Sequence, residues 1–384
     1  MHTGGDLRSS RSPAILRIAR ADHRTYRASR AARIAVTLLL PTRLNAWMRV
    51  VVTGGAGFIG SNLVHYWSRE HPSDELIVID KLTYAGNRRS IESLEREGRL
   101  RFEHADICDE EAMERILPGT DLVLNLAADT HVDRSIGDPA PFVQTNVVGT
   151  LVLLEAARRH RIGRFHQVST DEVFGALALD RSAERFTPES PYRPRNPYAA
   201  SKAAADHLVM AYQHTYGVPA TISNCGNNFG PYQHPEKLIP RAIVRLLSGH
   251  KIPLYGAGAN VRDWIYVEDH CEALDVIAHR GEPGRTYVVG ADGEHTNLEI
   301  VTAIASRLGR DASAIEHVPD RPGHDLRYAL DSHRIRSELG WRSRMTFDDG
   351  LDKTVQWYVA NRRWWEPILA SSGIVSGASG AAGI

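Results

Sequence analysis

A glycine-rich turn, placed between a short apolar run and an amphipathic stretch, is the feature that most restricts how this chain can fold. The run Arg49–Thr53 is typical of a buried strand, and it leads into Gly54, Gly55, Gly57 and Gly60 before a helical pattern begins. These glycines fit both GxxGxxG and GxGxxG. Such spacings let the backbone turn tightly and bring bare amides and a helix N-terminus to a pyrophosphate. The sequence therefore predicts a strand–turn–helix unit that binds a dinucleotide.

An acidic residue stands where the second strand of such a unit would end. Asp80 follows the predicted strand Glu75–Ile79. It lies about twenty residues beyond the glycines, where a carboxylate binds the ribose diol of the adenosine half. Because its negative charge would repel a 2′-phosphate, the sequence favours NAD over NADP.

Further strands and helices alternate along the chain as they do in βαβ units. The predicted strands Leu122–Ala127 and Phe165–Ser169 alternate with predicted helices at Ile59–Glu70, Glu110–Leu117 and Phe142–His160. This alternation predicts an α/β fold, a Rossmann-type doubly wound parallel sheet. Beyond about residue 221 the pattern becomes irregular. That change predicts a smaller C-terminal substrate-binding lobe over the carboxyl edge of the sheet.

Four segments are expected along the chain. Residues 1–47 are rich in arginine and lack lysine, and we expect a dispensable disordered extension or a natural start at Met48. Residues 48–220 should form the NAD-binding Rossmann domain. Residues 221–365 should form mainly the substrate-binding lobe, partly interleaved with that domain. Residues 366–384 include a stretch rich in Gly, Ser and Ala near the end of the sequence, and we expect them to form a disordered tail.

Composition narrows the choice of partners and compartment. Lysine plus arginine and aspartate plus glutamate both number 46, so the formal charge is zero. This balance gives no reason to expect nucleic acid or an anionic membrane as a partner. Cys108, Cys225 and Cys271 stand in no metal-ligand spacing and are too few for a disulfide framework. We expect no metal site and a cytoplasmic location.

A tyrosine and a lysine occur with helical spacing in the segment Tyr198–Lys202, which reads YAASK. Residues four apart share a helix face, so the phenol and the ammonium stand side by side. A free phenol has a pKa of about 10, and an adjacent ammonium together with oxidised nicotinamide stabilises the phenolate. Upstream, the strand ending at Ser169 is followed by Thr170, Asp171 and Glu172. We expect these side chains to meet at the mouth of one cleft.

From Met48 to about Trp365 the chain resembles the extended short-chain dehydrogenase/reductase family. More specific motifs resemble the nucleotide-sugar 4,6-dehydratases of that family. Residues 127–136 are similar to AAESHVDRSI, and residues 227–240 are similar to NNYGPYQ followed by PEKLIP. Arg262-Asp263-Trp264 and the segment 321–328 complete the set. The departures are Asp129 and Thr130 for Glu-Ser, Gly226 for Ser and Phe229 for Tyr.

The resemblance implies a reaction and a role for each catalytic residue. The substrate would be a nucleotide-activated glucose, dTDP-glucose first and UDP-glucose as the alternative. Tyr198 would take the proton of the 4-hydroxyl while C4 passes hydride to NAD⁺, Thr170 would bond the same oxygen, and Lys202 would hold the ribose. Glu172 would remove the C5 proton, and protonated Asp171 would donate to the departing 6-hydroxyl. Hydride returned from NADH to C6 would give a 4-keto-6-deoxy sugar.

The resemblance also implies two sets of binding residues and a homodimer. The expected cofactor contacts are Gly54, Gly57, Phe58, Ile59, Gly60, Asp80, Lys81, Leu82, Thr83, Asp106, Ile107, Leu126, Ala127, Ala128, Thr145, Tyr198, Lys202 and Asn228. The expected substrate contacts are Thr130, Thr170, Asn227, Lys237, Leu238, Pro253, Tyr255, Arg262, Asn297, Arg327 and Tyr328. Two chains would pair through the helices that contain Phe142–His160 and Tyr198–Tyr216.

The sequence leaves three other functions open, namely an epimerase, a decarboxylase and a non-catalytic regulator. Epimerases of the family usually carry small or neutral residues where Asp171 and Glu172 stand, because they transfer hydride without eliminating water. A decarboxylase would want an additional arginine for a substrate carboxylate. A non-catalytic dinucleotide-binding regulator would usually lack Tyr198 or Lys202, and this chain has both. The mass change of the sugar separates loss of water from loss of CO₂ and from no change.

Overall fold

A computed structural model of the chain describes residues 47–180, 183–320 and 324–372. The expected extension up to residue 46, the chain beyond residue 372 and Arg321–Gly323 of the motif at 321–328 lie outside the described residues.

Seven strands form the central sheet of the described chain. They are β1 Arg49–Thr53, β2 Glu75–Asp80, β3 Arg101–His104, β4 Leu122–Asn125, β5 Arg164–Thr170, β6 Ala220–Cys225 and β10 Thr286–Val289. Their order across the sheet is β10-β6-β5-β4-β1-β2-β3, and every neighbouring pair is parallel. The order reverses between β1 and β4, which opens a crevice at the carboxyl ends of these strands. The predicted Rossmann-type sheet is confirmed.

Helices cover both faces of this sheet. They are α1 Phe58–Glu70, α2 Glu92–Arg96, α3 Glu110–Ile116, α4 Val132–Gly137, α5 Ala140–Phe142, α6 Gly149–His160, α7 Pro197–Tyr216 and α9 Val267–Arg280. A π-helical segment, Val143–Val148, joins α5 to α6. Single 3₁₀ turns occupy Arg88–Ser90 and Asp171–Phe174.

Apolar side chains fill the space between the sheet and its two helical layers. Val51 and Val123 face one layer, and Val50, Val52 and Val78 face the other, all fully buried. Burial on both faces explains why these strands are apolar at successive positions rather than alternating. The predicted strand at Leu122–Ala127 ends at Asn125, because the chain then turns along the crevice.

The later part of the chain builds a second core. Its strands are β7 Asn227–Phe229, β9 Val261–Tyr266 and β11 Glu294–Thr296, in the order β11-β9-β7, and the pair β8 Ile252–Tyr255 and β12 Ile315–Val318. Its helices are α8 Leu238–Leu247, α10 Asn297–Arg307, α11 Phe347–Ala360 and α12 Arg362–Ser372, with a 3₁₀ turn at Ala312–Ala314 and a π-helical turn at Ile335–Leu339. Between these elements, α9 and β10 return to the central sheet.

The last helix corrects one expectation about the C-terminus. Residues 366–372 belong to α12 and not to a disordered tail. Trp365 and Leu369 are 1% and 9% exposed and pack on the second core. The Gly/Ser-rich composition that suggested a tail begins only after these apolar anchors.

One helical stretch, Ala140–His160, is long and apolar enough to cross a membrane by length and composition alone. Its most apolar part is 56% buried inside the fold. Val152, Leu153 and Leu154 pack in the core beside the sheet. These features are typical of a core helix, and the stretch is weak evidence for a membrane span.

Candidate active site

The glycine-rich turn brings β1 and α1 into close contact at the crevice. Gly54 has a φ of +67°, and a Cβ there would lie 2.7 Å from the Ala127 nitrogen. A Cβ on Gly60 would lie 2.1 Å from the Gly54 carbonyl oxygen, so only glycine allows this packing. Gly57 caps α1 without any side-chain hydrogen bond to the helix amides. The first turn of α1 therefore offers its donors and its positive dipole end to a phosphate.

Asp80 is fixed at the end of β2 by the backbone around it. Its two carboxylate oxygens accept hydrogen bonds from the Ala56 and Leu82 amides, at 3.0 and 2.8 Å. Burial raises the pKa of Asp80, and these two hydrogen bonds oppose that rise. The carboxylate lines the crevice in the position that a ribose diol requires.

Most of the expected cofactor residues line one continuous cleft. The lining includes Gly54, Gly57, Phe58, Ile59, Gly60, Asp80, Lys81, Thr83, Ile107, Leu126, Ala127, Ala128, Thr145, Tyr198, Lys202 and Asn228. Leu82 and Asp106 do not belong to it. Leu82 contributes its amide to Asp80, and Asp106 lies 3.5 Å from the Lys81 ammonium. The N-terminus of α1, which has no side-chain cap, the Asp80 carboxylate and this lining together fit NAD.

Asp171 is a buried carboxyl directly beyond the end of β5. It is 2% exposed and lines the cleft. Burial, and then the neighbouring charge of Glu172, raise its pKa well above the usual range. Its Oδ1 accepts a hydrogen bond from the Thr170 hydroxyl at 3.3 Å, and its Oδ2 has no hydrogen-bond partner among the described residues. This environment favours the protonated acid that a donor role requires.

Glu172 also lines the cleft but has a more polar environment. Its Oε2 accepts a hydrogen bond from the Asn196 side-chain amide at 3.3 Å. Its backbone amide donates to the Thr170 hydroxyl, also at 3.3 Å. The two adjacent acids therefore have different surroundings, as their proposed division of roles requires.

Tyr198 and Lys202 lie on the first turns of α7, both buried. Burial, and then the charge of Glu172, raise the Tyr198 pKa well above its usual value, whereas a hydrogen bond with Thr170 lowers it. The Lys202 ammonium donates to the Val168 carbonyl oxygen at 2.7 Å. Burial lowers the Lys202 pKa, and the Asp206 carboxylate opposes this.

Asp206 is a residue of this site that the sequence analysis missed. Burial raises its pKa to about 6, and it accepts hydrogen bonds from the Ser169 hydroxyl at 2.6 Å and the Tyr192 phenol at 3.0 Å. It follows Lys202 by four positions, so the spacing Tyr-x₃-Lys-x₃-Asp placed it on the same helix face. Asn196 was also missed, because its link to Glu172 joins two separate parts of the chain.

The expected substrate residues divide into two groups. Thr130, Thr170, Asn227 and Lys237 line the cleft, and the Lys237 ammonium donates to the Thr130 carbonyl oxygen at 3.3 Å. The others lie outside its lining and stay predictions: Leu238, Pro253, Tyr255, Arg262, Asn297, Arg327 and Tyr328. Most of them belong to the second core, on β8, on β9 or at the starts of α8 and α10.

Arg262 and Tyr328 are buried beside the acid pair. The Arg262 guanidinium lies 4.4 Å from the centre of the Tyr328 ring and donates to the Asp325 carbonyl oxygen at 2.9 Å. Its positive charge lowers the pKa of Asp171, although burial outweighs that effect. Arg327 instead donates to a carboxylate oxygen of Glu294 at 2.7 Å.

Known proteins are similar to this chain over most of its length. Residues 51–354 match the family model described as GDP-mannose 4,6 dehydratase. The dTDP-glucose 4,6-dehydratase of Mycobacterium tuberculosis strain H37Rv is 50% identical over 322 residues, covering 84% of this chain and 96% of the relative. The chain belongs to the dTDP-glucose 4,6-dehydratase family.

Solved structures agree with membership of the dTDP-glucose 4,6-dehydratase family. A family member from Streptomyces venezuelae, solved with NAD bound, is 47% identical with a TM-score of 0.81, covering 84% of this chain and 100% of its own. A UDP-glucose 4-epimerase from Thermus thermophilus, also solved with NAD, is 33% identical with a TM-score of 0.74, covering 82% of this chain and 100% of its own. The fold is thus shared with epimerases, and the side chains of the cleft must separate the reactions.

Proposed function

We propose that this cleft dehydrates dTDP-glucose to the 4-keto-6-deoxy sugar, with NAD as a resident cofactor. The observation that carries the proposal is the pair Asp171–Glu172, which meets Tyr198 in one cleft. Asp171 is buried with a raised pKa, whereas Glu172 accepts a hydrogen bond from Asn196. An epimerase needs no such pair of acids. The relatives act on dTDP-glucose by name, which favours it over UDP-glucose.

NAD would lie along the glycine-rich turn. The α1 amides near Gly57 would hold its pyrophosphate and Asp80 its adenosine ribose, with Lys81 and Thr145 beside it. When bound, NAD supplies the hydride acceptor for C4, the hydride donor for C6 and a positive charge near Tyr198. Lys202 is held by the Val168 carbonyl oxygen and lines the same cleft, where it would bind the nicotinamide ribose.

The first proton transfer belongs to Tyr198. Its phenolate removes the proton of the sugar 4-hydroxyl, and Thr170 hydrogen-bonds the same oxygen. Because burial and Glu172 hold the Tyr198 pKa high, the deprotonated form depends on positive charge in the cleft. The Thr170 hydrogen bond and the Lys202 ammonium act in the same direction.

The elimination belongs to the two acids. Once C4 is a ketone, Glu172 removes the acidified proton at C5, and the electron pair forms the C5–C6 double bond as the C6–O bond breaks. Asp171 gives its proton to the departing 6-hydroxyl, which leaves as water. Hydride returned to C6 and the proton returned from Glu172 to C5 would then saturate the double bond and give the 4-keto-6-deoxy sugar. Each proton transfer of this kind contributes about 10²–10⁴-fold in rate.

We also propose a division of the chain into two functional parts and a cellular location. Residues 48–220 would mainly bind NAD and residues 221–365 mainly the nucleotide sugar. The return of α9 and β10 to the central sheet supports an interleaved arrangement. A cytoplasmic location is supported by the free thiols of Cys108, Cys225 and Cys271.

A homodimer through α6 and α7 is the proposed assembly. Large apolar side chains stay exposed on α7 and on the continuous helix that includes α6, and these are Val143, Leu151, Met210 and Tyr216. The two helices pack against one another on one side of the sheet. Large apolar side chains exposed on two adjacent helices are the observation that supports this assembly.

The reaction is tested by giving purified protein dTDP-glucose without added NAD⁺. We expect a 4-keto product, detected by its absorbance in alkali, and a loss of one water by mass. The variant Glu172→Gln should oxidise the sugar, accumulate reduced nicotinamide and release water only slowly. Its turnover should fall about 10²–10⁴-fold, since it lacks the base.

The matched control is Glu92→Gln, an exposed glutamate in the first turn of α2, which should keep full turnover. Normal turnover by Glu172→Gln would show that the base has been assigned wrongly. A product of unchanged mass would show epimerisation, and a loss of CO₂ would show decarboxylation.

A further inference from the structure

A group of metal-ligating side chains lies outside the cleft, where α1 ends against α9. His71 caps the C-terminus of α1, and Asp275 and His279 lie four residues apart on α9. Asp275 Oδ1 is 3.0 Å from His71 Nε2 and 2.7 Å from His279 Nδ1. The three candidate ligand atoms all lie within 4.8 Å of one another.

The distances suit a small divalent cation. Zinc binds histidine nitrogen and carboxylate oxygen at about 2.0–2.2 Å, which places tetrahedral ligands about 3.3 Å apart. The separation from Asp275 Oδ1 would widen by about 0.3 Å for His71 Nε2 and by about 0.6 Å for His279 Nδ1. His279 Nδ1 would also exchange its contact with the Asp275 carbonyl oxygen for the ion. His71, Asp275 and His279 have side chains that are 25%, 15% and 35% exposed, so an ion can reach them from solvent.

Neighbouring side chains hold these ligands in place. The Tyr66 hydroxyl donates to Asp275 Oδ2 at 3.1 Å, which leaves Oδ1 directed at the two imidazoles. The imidazole rings stack with centres 4.9 Å apart, and both contact the buried Trp67 ring, at 4.7 and 5.4 Å. Outer partners of this kind orient metal ligands in known sites.

The local charge also favours a cation. Glu70 and Glu272 act electrostatically on Tyr66, and Asp74 acts on His279. Arg69 and Arg344 pair with Glu70 and Glu272. Asp275 therefore contacts both imidazoles and Asp74 acts on His279, while Glu70 and Glu272 lie near Tyr66 and are each paired with an arginine.

We propose that His71, Asp275 and His279 bind one Zn²⁺ ion that ties α1 to α9, with a fourth position open to water. Two imidazoles and one carboxylate form a donor set that zinc accepts. The ion would be structural, because α1 has 13 residues and the site lies about 20 Å along it from the glycine-rich turn. No local motif predicted this site, since His71 is far in sequence from Asp275 and His279.

The test uses the complete protein with its cofactor, treated with a chelator and then titrated with zinc chloride. Calorimetry should show one zinc per chain, and the thermal unfolding midpoint should rise because the ion binds only the folded chain. Co²⁺ in place of zinc should give the visible absorption of a four-coordinate site. Turnover should be the same with and without the ion.

The variants His71→Gln and His279→Gln should each weaken zinc binding by about 100-fold, and Tyr66→Phe by about tenfold. Asp275→His should keep a site, whereas Asp275→Asn should lose it. The control His250→Gln changes an exposed histidine outside the group and should bind as the parent does. Unchanged zinc binding by His71→Gln and His279→Gln would overturn the proposal. The absence of a cobalt spectrum from the parent protein would also overturn it, and that result does not depend on whether any variant folds.

Discussion

At the scale of single residues, Asn196 links the helix that carries Tyr198 to Glu172, the acid proposed to remove the C5 proton. Its side-chain oxygen accepts from the Ala199 amide at 2.8 Å and so caps α7. Its side-chain amide donates to Glu172 at 3.3 Å. One side chain therefore starts the helix that carries Tyr198 and orients the neighbouring carboxylate. We regard Asn196 as a positioning residue.

Serine at position 196 separates the two contributions of Asn196. Asn196→Ser keeps an oxygen for the cap, but its shorter hydroxyl replaces the amide that donates to Glu172. We expect kcat to fall about tenfold, equivalent to about 1.4 kcal/mol, with KM nearly unchanged and the unfolding midpoint retained. Asn196→Asp also keeps the cap but places a negative charge beside Glu172, and it should lose more. Steady-state kinetics and thermal unfolding measure both effects. A variant with full kcat and lower stability would show that Asn196 acts only as a cap.

At the scale of elements, a salt-bridge cluster joins three segments around the cleft. Glu236, in the loop before α8, lies 3.2 Å from Arg134 of α4 and 3.7 Å from His131. The Arg134 guanidinium lies 3.7 Å from the centre of the Tyr84 ring, in the loop after β2. Burial would raise the Glu236 pKa, but the nearby cations Lys237 and Arg134 help to bring it below the usual value. Burial and Lys237 lower the His131 pKa to about 4, so at neutral pH His131 is an uncharged neighbour of Glu236. The ionised carboxylate holds these segments together beside the cofactor residues.

Removal of this charge should loosen the cofactor. In Glu236→Gln, Arg134 and His131 lose their ionised partner, so the three segments separate more easily. The Glu236 side chain is 10% exposed and that of Arg134 is 49% exposed, so losing this half-buried pair costs about 1–2 kcal/mol. We expect less NAD to remain bound after gel filtration and a lower unfolding midpoint. The control Glu95→Gln breaks the more exposed pair with Arg88, which is worth about 0–1 kcal/mol. Equal retention of NAD by Glu236→Gln and Glu95→Gln would show that Glu236 does not hold the three segments together.

The sequence predicted those elements whose characteristic residues lie close together along the chain. The glycine-rich turn, the Tyr198–Lys202 spacing and the acids after β5 each lie within a few residues, so their geometry follows from helix and strand periodicity. The Asn196–Glu172 contact, the return of β10 to the central sheet and the burial of Trp365 depend on packing between distant segments. No local pattern encodes those contacts.

At the scale of the whole molecule, α6 and α7 connect the cleft to the proposed subunit interface. Leu151 and Met210 are 37% and 40% exposed although both are large and apolar. The same two helices bury other side chains against the central sheet. A partner covering the exposed residues would complete that layer of the fold.

A charge on either helix should separate the subunits. Leu151→Glu and Met210→Glu should each shift the protein from dimer to monomer, because a carboxylate would be buried at the contact. Light scattering during gel filtration measures the mass directly. Val359→Glu, at an exposed apolar residue of α11 that is 45% accessible, should leave the dimer intact. A dimeric Leu151→Glu together with a dimeric Met210→Glu would place the interface elsewhere.

Helix α7 has Tyr198, Lys202 and Asp206 on its cleft side and Met210 further along its exposed surface. A compound that bound at Met210 in the proposed subunit interface would therefore disturb the helix that carries Tyr198, without entering the cleft. Such a compound would inhibit without competing with the nucleotide sugar, and more substrate would not relieve the inhibition.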